Sequence, residues 1–309
     1  MSIHKPAFKY SPAVIHSGGD CFFDILLFFI LTVVFLIAVY PLYFVIIASF
    51  SSPKAVAGGK VVFFPVDISF EGYGKVFENK QVVSGFFNSI IITVAGTLTS
   101  LFITLPTAYS LSRRDFGGSK FVMSFYIVTM FISGGLIPTY LVIRNLGMLD
   151  KIWSLILPGA LGVYNMIVAR TFFKTSIPDE LLEAARIDGC NDFHFFFRMV
   201  LPLSGAIIAI LVLYYGIGHW NAYFSALLYI STPEKYPLQV VLRSILIQNS
   251  LSYQGAVPPQ QMAELEQRRQ IAELMKYSLI IISSLPVIIV YPFVQKYFVK
   301  GVMIGSVKG

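Results

Sequence analysis

Long apolar blocks, separated by polar stretches, run along most of this 309-residue chain. The first block, from Cys21 to about Ser49, is apolar on every side of a helix. About 20 apolar residues suffice for a helix to cross the roughly 30 Å hydrocarbon core of a bilayer. The pattern predicts six membrane helices, over residues 22–49, 85–110, 121–143, 152–173, 203–230 and 277–298.

The blocks favour an all-α integral membrane protein. A membrane β-barrel would need segments of about ten residues with alternating polarity, whereas helices satisfy their own backbone hydrogen bonds in lipid. The first block is too long for the core of a signal peptide, so we expect it to remain attached. We divide the chain into a cytoplasmic segment over residues 1–20 and a transmembrane domain over residues 21–309.

Composition agrees with a membrane location. Hydrophobic residues make up 56% of the chain and charged residues 13%, against about 45–50% and about 25% in soluble domains. The net charge of +7 comes from scattered cations that form no basic stripe. We therefore expect lipid head groups and not nucleic acid as partners. The spacing of Cys21 and Cys190 predicts neither a disulfide nor a metal site.

Orientation follows from the short hairpin "SRRDFGGSK", which contains Arg113, Arg114 and Lys120. Short loops rich in Lys and Arg remain on the cytoplasmic side of a membrane. With six spans, both termini and the polar stretch over residues 176–202 lie on the same side as this hairpin. The sequence thus favours cytoplasmic termini in a multi-pass protein of the cell membrane.

The stretch over residues 176–202 has the pattern of a soluble helix-turn-helix. Ser176 is a candidate N-cap, with Pro178 in the first turn. Gly189 is expected to end the first helix, and Asn191 to cap the second. The second helix is crowded with aromatic residues, which we expect either to enter the lipid interface or to dock in a groove of another protein: Phe193, Phe195, Phe196 and Phe197.

A specific spacing marks this stretch. Glu183, Ala184 and Ala185 are followed after three residues by Gly189, and after nine more by "MVLP". This spacing resembles the EAA loop of bacterial ABC importer permeases, with Met199 in place of the usual Ile. The segments "GGLIPTYLVIRNLGMLDKIWSLILP" and "HWNAYFSALLYI" resemble carbohydrate permeases similar to the smaller maltose-permease subunit. The resemblance is strongest to permeases for lipo-oligosaccharides, alginate and pectin fragments.

The resemblance implies one subunit of a heteromeric carbohydrate importer. Its partners would be a second, related permease, two ATPase subunits and an extracytoplasmic solute-binding protein. The chain has no phosphate-binding P-loop and no catalytic or metal-binding constellation, so we expect a non-enzyme without a cofactor, with ATP and Mg on the partners. The residues implied to couple to the ATPase are Glu183, Ala184, Ala185, Arg186, Asp188 and Gly189.

A sugar pathway requires hydrogen-bonding groups and aromatic faces. Polar residues at membrane depth usually face protein or water, although Trp and Tyr also gather at membrane interfaces without binding a ligand. We expect His219 to be packed, and Gly134 and Gly135 to allow a bend or close packing. The candidate pathway residues are Trp220, Asn221, Tyr223, Tyr164, Asn165 and Asn88.

Alternatives to a carbohydrate permease are a self-sufficient channel, a membrane enzyme, or an ABC importer of another solute. No span carries the regularly spaced Arg of a voltage sensor or a potassium-channel filter.

The stretch Gln260–Lys276 mixes charge with apolar positions and is a candidate surface helix before the sixth span.

Overall fold

The computed structural model of the chain describes residues 18–250, 273, 275–293 and 295. Within these residues all regular structure is helical, and no strand occurs. The helices are α1 (Gly18–Ser49), α2 (Pro53–Ala57), α3 (Glu71–Glu78), α4 (Lys80–Ser112), α5 (Ser119–Phe131), α6 (Leu136–Asn145), α7 (Trp153–Ile156), α8 (Val163–Ser176), α9 (Asp179–Ile187), α10 (Asp192–Phe195), α11 (Leu201–Leu203), α12 (Gly205–Trp220), α13 (Phe224–Tyr229), α14 (Leu238–Ser250) and α15 (Met275–Phe293).

Two predicted segments fall mainly outside the described residues. Of the cytoplasmic segment over residues 1–20, only residues 18–20 are described, and they belong to α1. Of the candidate surface helix Gln260–Lys276, only Glu273, Met275 and Lys276 are described.

Three helices are long and apolar enough to cross a membrane: Phe22–Ser49 within α1, α4 and α15. Three further pairs pass the same test when each bent pair counts as one span. The pairs are Ser119–Phe131 with Leu136–Asn145, bent by 114°, Trp153–Gly159 with Val163–Ser176, bent by 51°, and Asp192–Leu203 with Gly205–Trp220, bent by 81°. The architecture is therefore that of a multi-pass membrane protein with three to six spans.

Breaks within three of the predicted segments correct the expectation of continuous helices. The segment predicted over residues 152–173 is interrupted between Gly159 and Val163, with a bend of 51°. The segment predicted over residues 121–143 is interrupted between α5 and α6, where Gly135 has φ +87°. That conformation suits glycine, and it produces the bend expected at this position. The segment predicted over residues 203–230 ends its first helix at Trp220 and restarts at Phe224. Hydropathy does not detect such breaks, because the residues on both sides remain apolar.

Helix α4 is the centre of the packing, and it contacts α8, α12 and α14. The hydroxyl oxygens of Thr104 and Tyr215 lie 2.7 Å apart, and the Tyr215 oxygen also accepts a hydrogen bond from Gly162 N at 3.1 Å. This chain of bonds joins α4 and α12 to the start of α8. His219 is buried against α4, with its Nε2 3.5 Å from the Ser100 hydroxyl, and is therefore packed as predicted.

Candidate functional site

The first helix of the polar stretch, α9, ends at a glycine as the sequence predicts. Gly189 has φ +75°. Its N–H donates to Arg186 O at 3.0 Å, and Cys190 N donates to Ala185 O at 2.9 Å. These two bonds form a Schellman motif, which satisfies the last carbonyls of the helix and fixes the turn that follows.

Replacing Gly189 with alanine should lower the free energy of unfolding by about 1 kcal/mol, because a side chain strains a left-handed backbone. A Cβ here would meet nothing within 4 Å, so the backbone alone causes the cost. Thermal unfolding of the detergent-solubilised complex measures the change. Gly189→Asn is the control and should lose less, because Asn tolerates positive φ. Equal melting of the alanine variant and the wild type would contradict this account.

The start of α9 differs from the prediction. Ser176 is the last residue of α8, and Pro178 is the N-cap of α9 without a side-chain hydrogen bond. Ile177 is extended, and the helical region is disfavoured for a residue before proline. The chain therefore turns at Ile177 and Pro178, and the prediction that Ser176 caps α9 is wrong. The second predicted cap is confirmed, since Asn191 Oδ1 accepts from His194 N at 2.8 Å.

The phenylalanines after Asn191 divide between two environments. Phe195 and Phe196 are 1% and 7% exposed, and the Phe196 ring lies 5.2 Å from the ring of Tyr109 on α4. Phe193 and Phe197, one helical turn apart, are 79% and 55% exposed. The expectation that the cluster enters the lipid interface, or that some of its rings enter a partner's groove, is wrong for Phe195 and Phe196, which attach the stretch to the chain's own core.

An ionic cluster clamps the same stretch to the hairpin after α4. Asp115 accepts from Arg113 Nε at 2.8 Å and from Arg186 Nη2 at 2.6 Å. Arg113 also donates to Asp192 at 2.7 Å, so that both helices of the stretch are held. Arg114 pairs with Asp179 at 2.9 Å.

Asp115 is the centre of this cluster. Hydrogen bonding to Arg113, followed by that to Arg186, holds the pKa of the Asp115 carboxyl well below its usual range. The carboxylate therefore remains ionised at neutral pH and keeps both arginines paired. The basic residues of this hairpin alone carried the sequence prediction, and Asp115 was not among the predicted residues.

Glu183 projects from α9 into open space. It forms no ion pair with any described residue, and Arg186 bonds to Asp115 instead. Arg186 therefore does not pair with Glu183 in this structure. Ala184 and Asp188 are also exposed, whereas Ala185 is buried against the core. Ile187 is 87% exposed, one turn after Glu183, and gives this face an uncovered apolar side chain.

Two candidate pathway residues have packing or tethering roles in the structure. Trp220 is 4% exposed, its Nε1 donates to Ser283 O at 3.0 Å, and its ring meets Phe86 edge-on at 5.9 Å. Asn88 Nδ2 donates to the carbonyls of Glu234 and Tyr236 at 2.7 and 3.2 Å. The geometry favours a packing role for Trp220 and a loop-anchoring role for Asn88.

Asn221 and Tyr223 are exposed, and both lie at the break between α12 and α13. Tyr164 is 57% exposed and Asn165 is half-buried, in the first turn of α8. Among the described residues, no hydrogen bond or ring contact joins the pair in α8 to the pair at the break. The guanidinium of Arg243, on α14, lies over the Tyr223 ring at 4.7 Å from its centre, a contact that the sequence alone does not predict.

A cavity of about 290 Å³ lies between α4, α12 and α15. Its walls are almost wholly apolar, and the hydroxyls of Thr93 and Thr97 at its edge have no hydrogen-bond partner. A sugar placed here would lose hydrogen bonds to water without replacing them. The cavity is therefore unsuited to a carbohydrate.

A second carboxylate organises the loops that follow α6 and α13. Asp150 has φ +58°, and its side chain accepts from Ser231 N at 3.0 Å and Thr232 N at 2.9 Å. Lys235 Nζ lies 2.6 Å from the same carboxylate. The bond from Lys235, followed by those from Thr232 and Ser231, holds the Asp150 pKa well below its usual range. Asp150 thus ties the segment after α6 to the segment before α14.

Comparisons with known proteins give a consistent set of relatives. No protein-family model matches the chain. It is 40% identical over 294 residues to the polygalacturonan/rhamnogalacturonan transport system permease protein YtcP of Bacillus subtilis (strain 168), covering 93% of this chain and 98% of that protein. It is 41% identical over 279 residues to Protein LplC of the same organism, covering 88% and 90%.

A solved structure is also similar. It is the crystal structure of a bacterial ABC transporter involved in the import of the acidic polysaccharide alginate. One of its chains superposes on this one with a TM-score of 0.83 and 35% sequence identity, covering 93% of this chain and 100% of that chain.

Proposed function

Since this chain belongs to the permease subunits of bacterial ABC sugar importers, we propose that it forms half of a translocation pathway for acidic oligosaccharides. A second, related permease forms the other half. An extracytoplasmic binding protein delivers the sugar, and two separate ATPase subunits bind ATP and Mg. The chain itself is a transport permease and supplies no catalytic group.

The polar stretch is the coupling element of this permease. The observation that carries this step is a helix fixed on one face and uncovered on the other. Phe195, Phe196 and the Asp115 cluster fix it to the core, while Ile187 and Phe193 remain exposed. An apolar side chain exposed on a capped helix suits a groove of a partner protein. A clamped helix also transmits a displacement that a flexible loop would absorb.

In the membrane, we assign six spans to the chain and place both termini in the cytoplasm. The assignment takes one span from each bent helix pair beside the three continuous helices, and it leaves residues 192–202 of the third pair in the coupling stretch. It places the hairpin with Arg113 and Arg114 on the same side as the coupling stretch, in keeping with the preference of short basic loops for the cytoplasm. The ion pairs between the hairpin and the stretch support a shared side.

Acidic oligosaccharides are the proposed substrate class. One relative is named for transport of polygalacturonan and rhamnogalacturonan, and the similar solved structure for import of alginate. Both names refer to polymers that contain uronic acids, whose carboxylates distinguish them from neutral sugars. Asn221, Tyr223, Tyr164 and Asn165 are the candidate residues that such a substrate would meet.

Uptake by the isolated complex tests this proposal. The complex is purified from its native membrane through a tag on this chain, reconstituted in proteoliposomes and supplied with its binding protein and labelled oligogalacturonate. Unlabelled acidic oligosaccharides are expected to compete for ATP-dependent uptake, and neutral arabinan or galactan fragments to compete weakly. Equal competition by the neutral fragments would refute the acidic substrate class.

A further inference from the structure

Arg243 lies beside the break between α12 and α13. Its guanidinium carbon is 4.7 Å from the centre of the Tyr223 ring, and both side chains are exposed. Asn221, which is also exposed, is the C-cap of α12 and precedes Tyr223 by two residues. An aromatic face and a cation thus share one open site, and an exposed amide lies two residues away along the chain.

The helix that carries Arg243 is firmly seated. The opposite face of α14 is buried through Leu238, Val241 and Ile245. The start of the helix is also fixed, because the N–H of Leu238 donates to the buried Ser89 hydroxyl at 2.8 Å. Arg243 therefore projects from a fixed backbone, which reduces the cost of holding it in a binding geometry.

Stacking on Tyr223 occupies the face of the guanidinium and leaves its edge available. The N–H donors of Arg lie in the plane of the group and match the two oxygens of a carboxylate. Two lysines of the described chain are already paired with carboxylates: Lys235 with Asp150 at 2.6 Å, and Lys75 with Glu78 at 2.8 Å. Arg243 has no ion pair with any residue that the structure describes.

We propose that Arg243, positioned by Tyr223, binds the carboxylate of a uronate residue as the oligosaccharide enters the pathway. Asn221 offers its amide to the sugar hydroxyls, and the aromatic ring of Tyr223 limits the orientations of the guanidinium. This assignment rests on the proposed function, since it concerns the acidic substrates of the same importer. It makes Arg243 the residue that distinguishes a uronate from a neutral sugar.

The test compares trigalacturonate with its methyl ester, which keeps the sugar rings but has no carboxylate charge. Wild-type, Arg243→Gln and Arg243→Lys complexes are reconstituted with the same binding protein, and each sugar is measured as a competitor of labelled trigalacturonate uptake. Arg243→Gln is expected to raise the apparent KM for trigalacturonate about tenfold, the factor for about 1.4 kcal/mol. Its preference for acid over ester should fall by a similar factor.

Matched variants separate charge from position. Arg144→Gln removes the same charge from an exposed site at the end of α6 and should leave the KM and the preference unchanged. Arg243→Lys keeps the charge but not the planar fork, so its KM should lie between those of wild type and Arg243→Gln. Tyr223→Leu removes the stacking ring and should shift the preference in the same direction as Arg243→Gln.

The outcomes distinguish this proposal from the proposed function. If wild-type complexes import trigalacturonate but Arg243→Gln retains the full preference for acid over ester, the role of Arg243 is refuted and the substrate class stands. The same conclusion follows if Arg243→Gln and Arg144→Gln weaken uptake equally. If wild-type complexes import no trigalacturonate at all, the proposed substrate class itself is refuted.

Discussion

Glu183→Lys is expected to abolish ATP-driven uptake while the protein remains in the membrane. Glu183 is exposed on α9 and has no ion pair among the described residues, so its loss removes no contact within this part of the chain. Reversing its charge on a surface that docks onto an ATPase would place a repulsive or unpaired charge in the contact, which disfavours association. Uptake and ATPase stimulation by loaded binding protein are the measurements.

The control for this variant is Glu71→Lys, which reverses an exposed charge in the first turn of α3. It should leave uptake close to wild type. Co-purification of the ATPase subunits with each variant shows whether docking or a later step is lost. Normal uptake by Glu183→Lys would remove Glu183 from the coupling surface.

Gly96→Ala is expected to disrupt the contact between α4 and α12. A Cβ at Gly96 would lie 2.6–2.7 Å from atoms of the buried His219 ring, closer than carbon and nitrogen atoms approach in proteins. Forcing extra atoms into a packed interior typically costs about 1–3 kcal/mol. We expect a lower melting temperature and less assembled complex, measured by thermal unfolding and by size-exclusion chromatography.

Two further variants identify the cause of that loss. Gly218→Ala adds the same methyl group to α12, where nothing lies within 4 Å, and should be nearly neutral. Gly96→Ala combined with His219→Ala removes the clashing ring and should recover part of the stability, because contacting residues are not additive. Full stability of the single Gly96→Ala variant would show that the two helices do not require glycine at this contact.

The apolar blocks predicted the helical class because hydrocarbon imposes a strong and simple requirement on sequence. Gly189 and Asn191 were also predictable, since both act through the local backbone and need no distant partner. The prediction that Ser176 caps α9 was wrong for a local reason, because the restriction that Pro178 places on the backbone of Ile177 outweighs a favourable capping residue.

Features that depend on distant contacts could not be predicted in this way. Asp115 meets Arg186 across 71 positions of sequence, and Asp150 meets Lys235 across 85. Neither pairing has a local signal. Trp220 has the chemistry of a sugar-stacking residue, yet the same ring packs equally well against Phe86. Composition cannot separate these two uses, because both employ the same aromatic side chain.

The measurement that tests the central claim most directly is uptake of labelled oligogalacturonate by proteoliposomes containing the complex purified through this chain. Binding protein is placed outside and ATP with Mg inside, and each is omitted in turn. The account predicts accumulation against a concentration gradient only when both are present, and none with a non-hydrolysable ATP analogue. Accumulation without ATP, or equilibration without binding protein, would contradict it and indicate a self-sufficient channel.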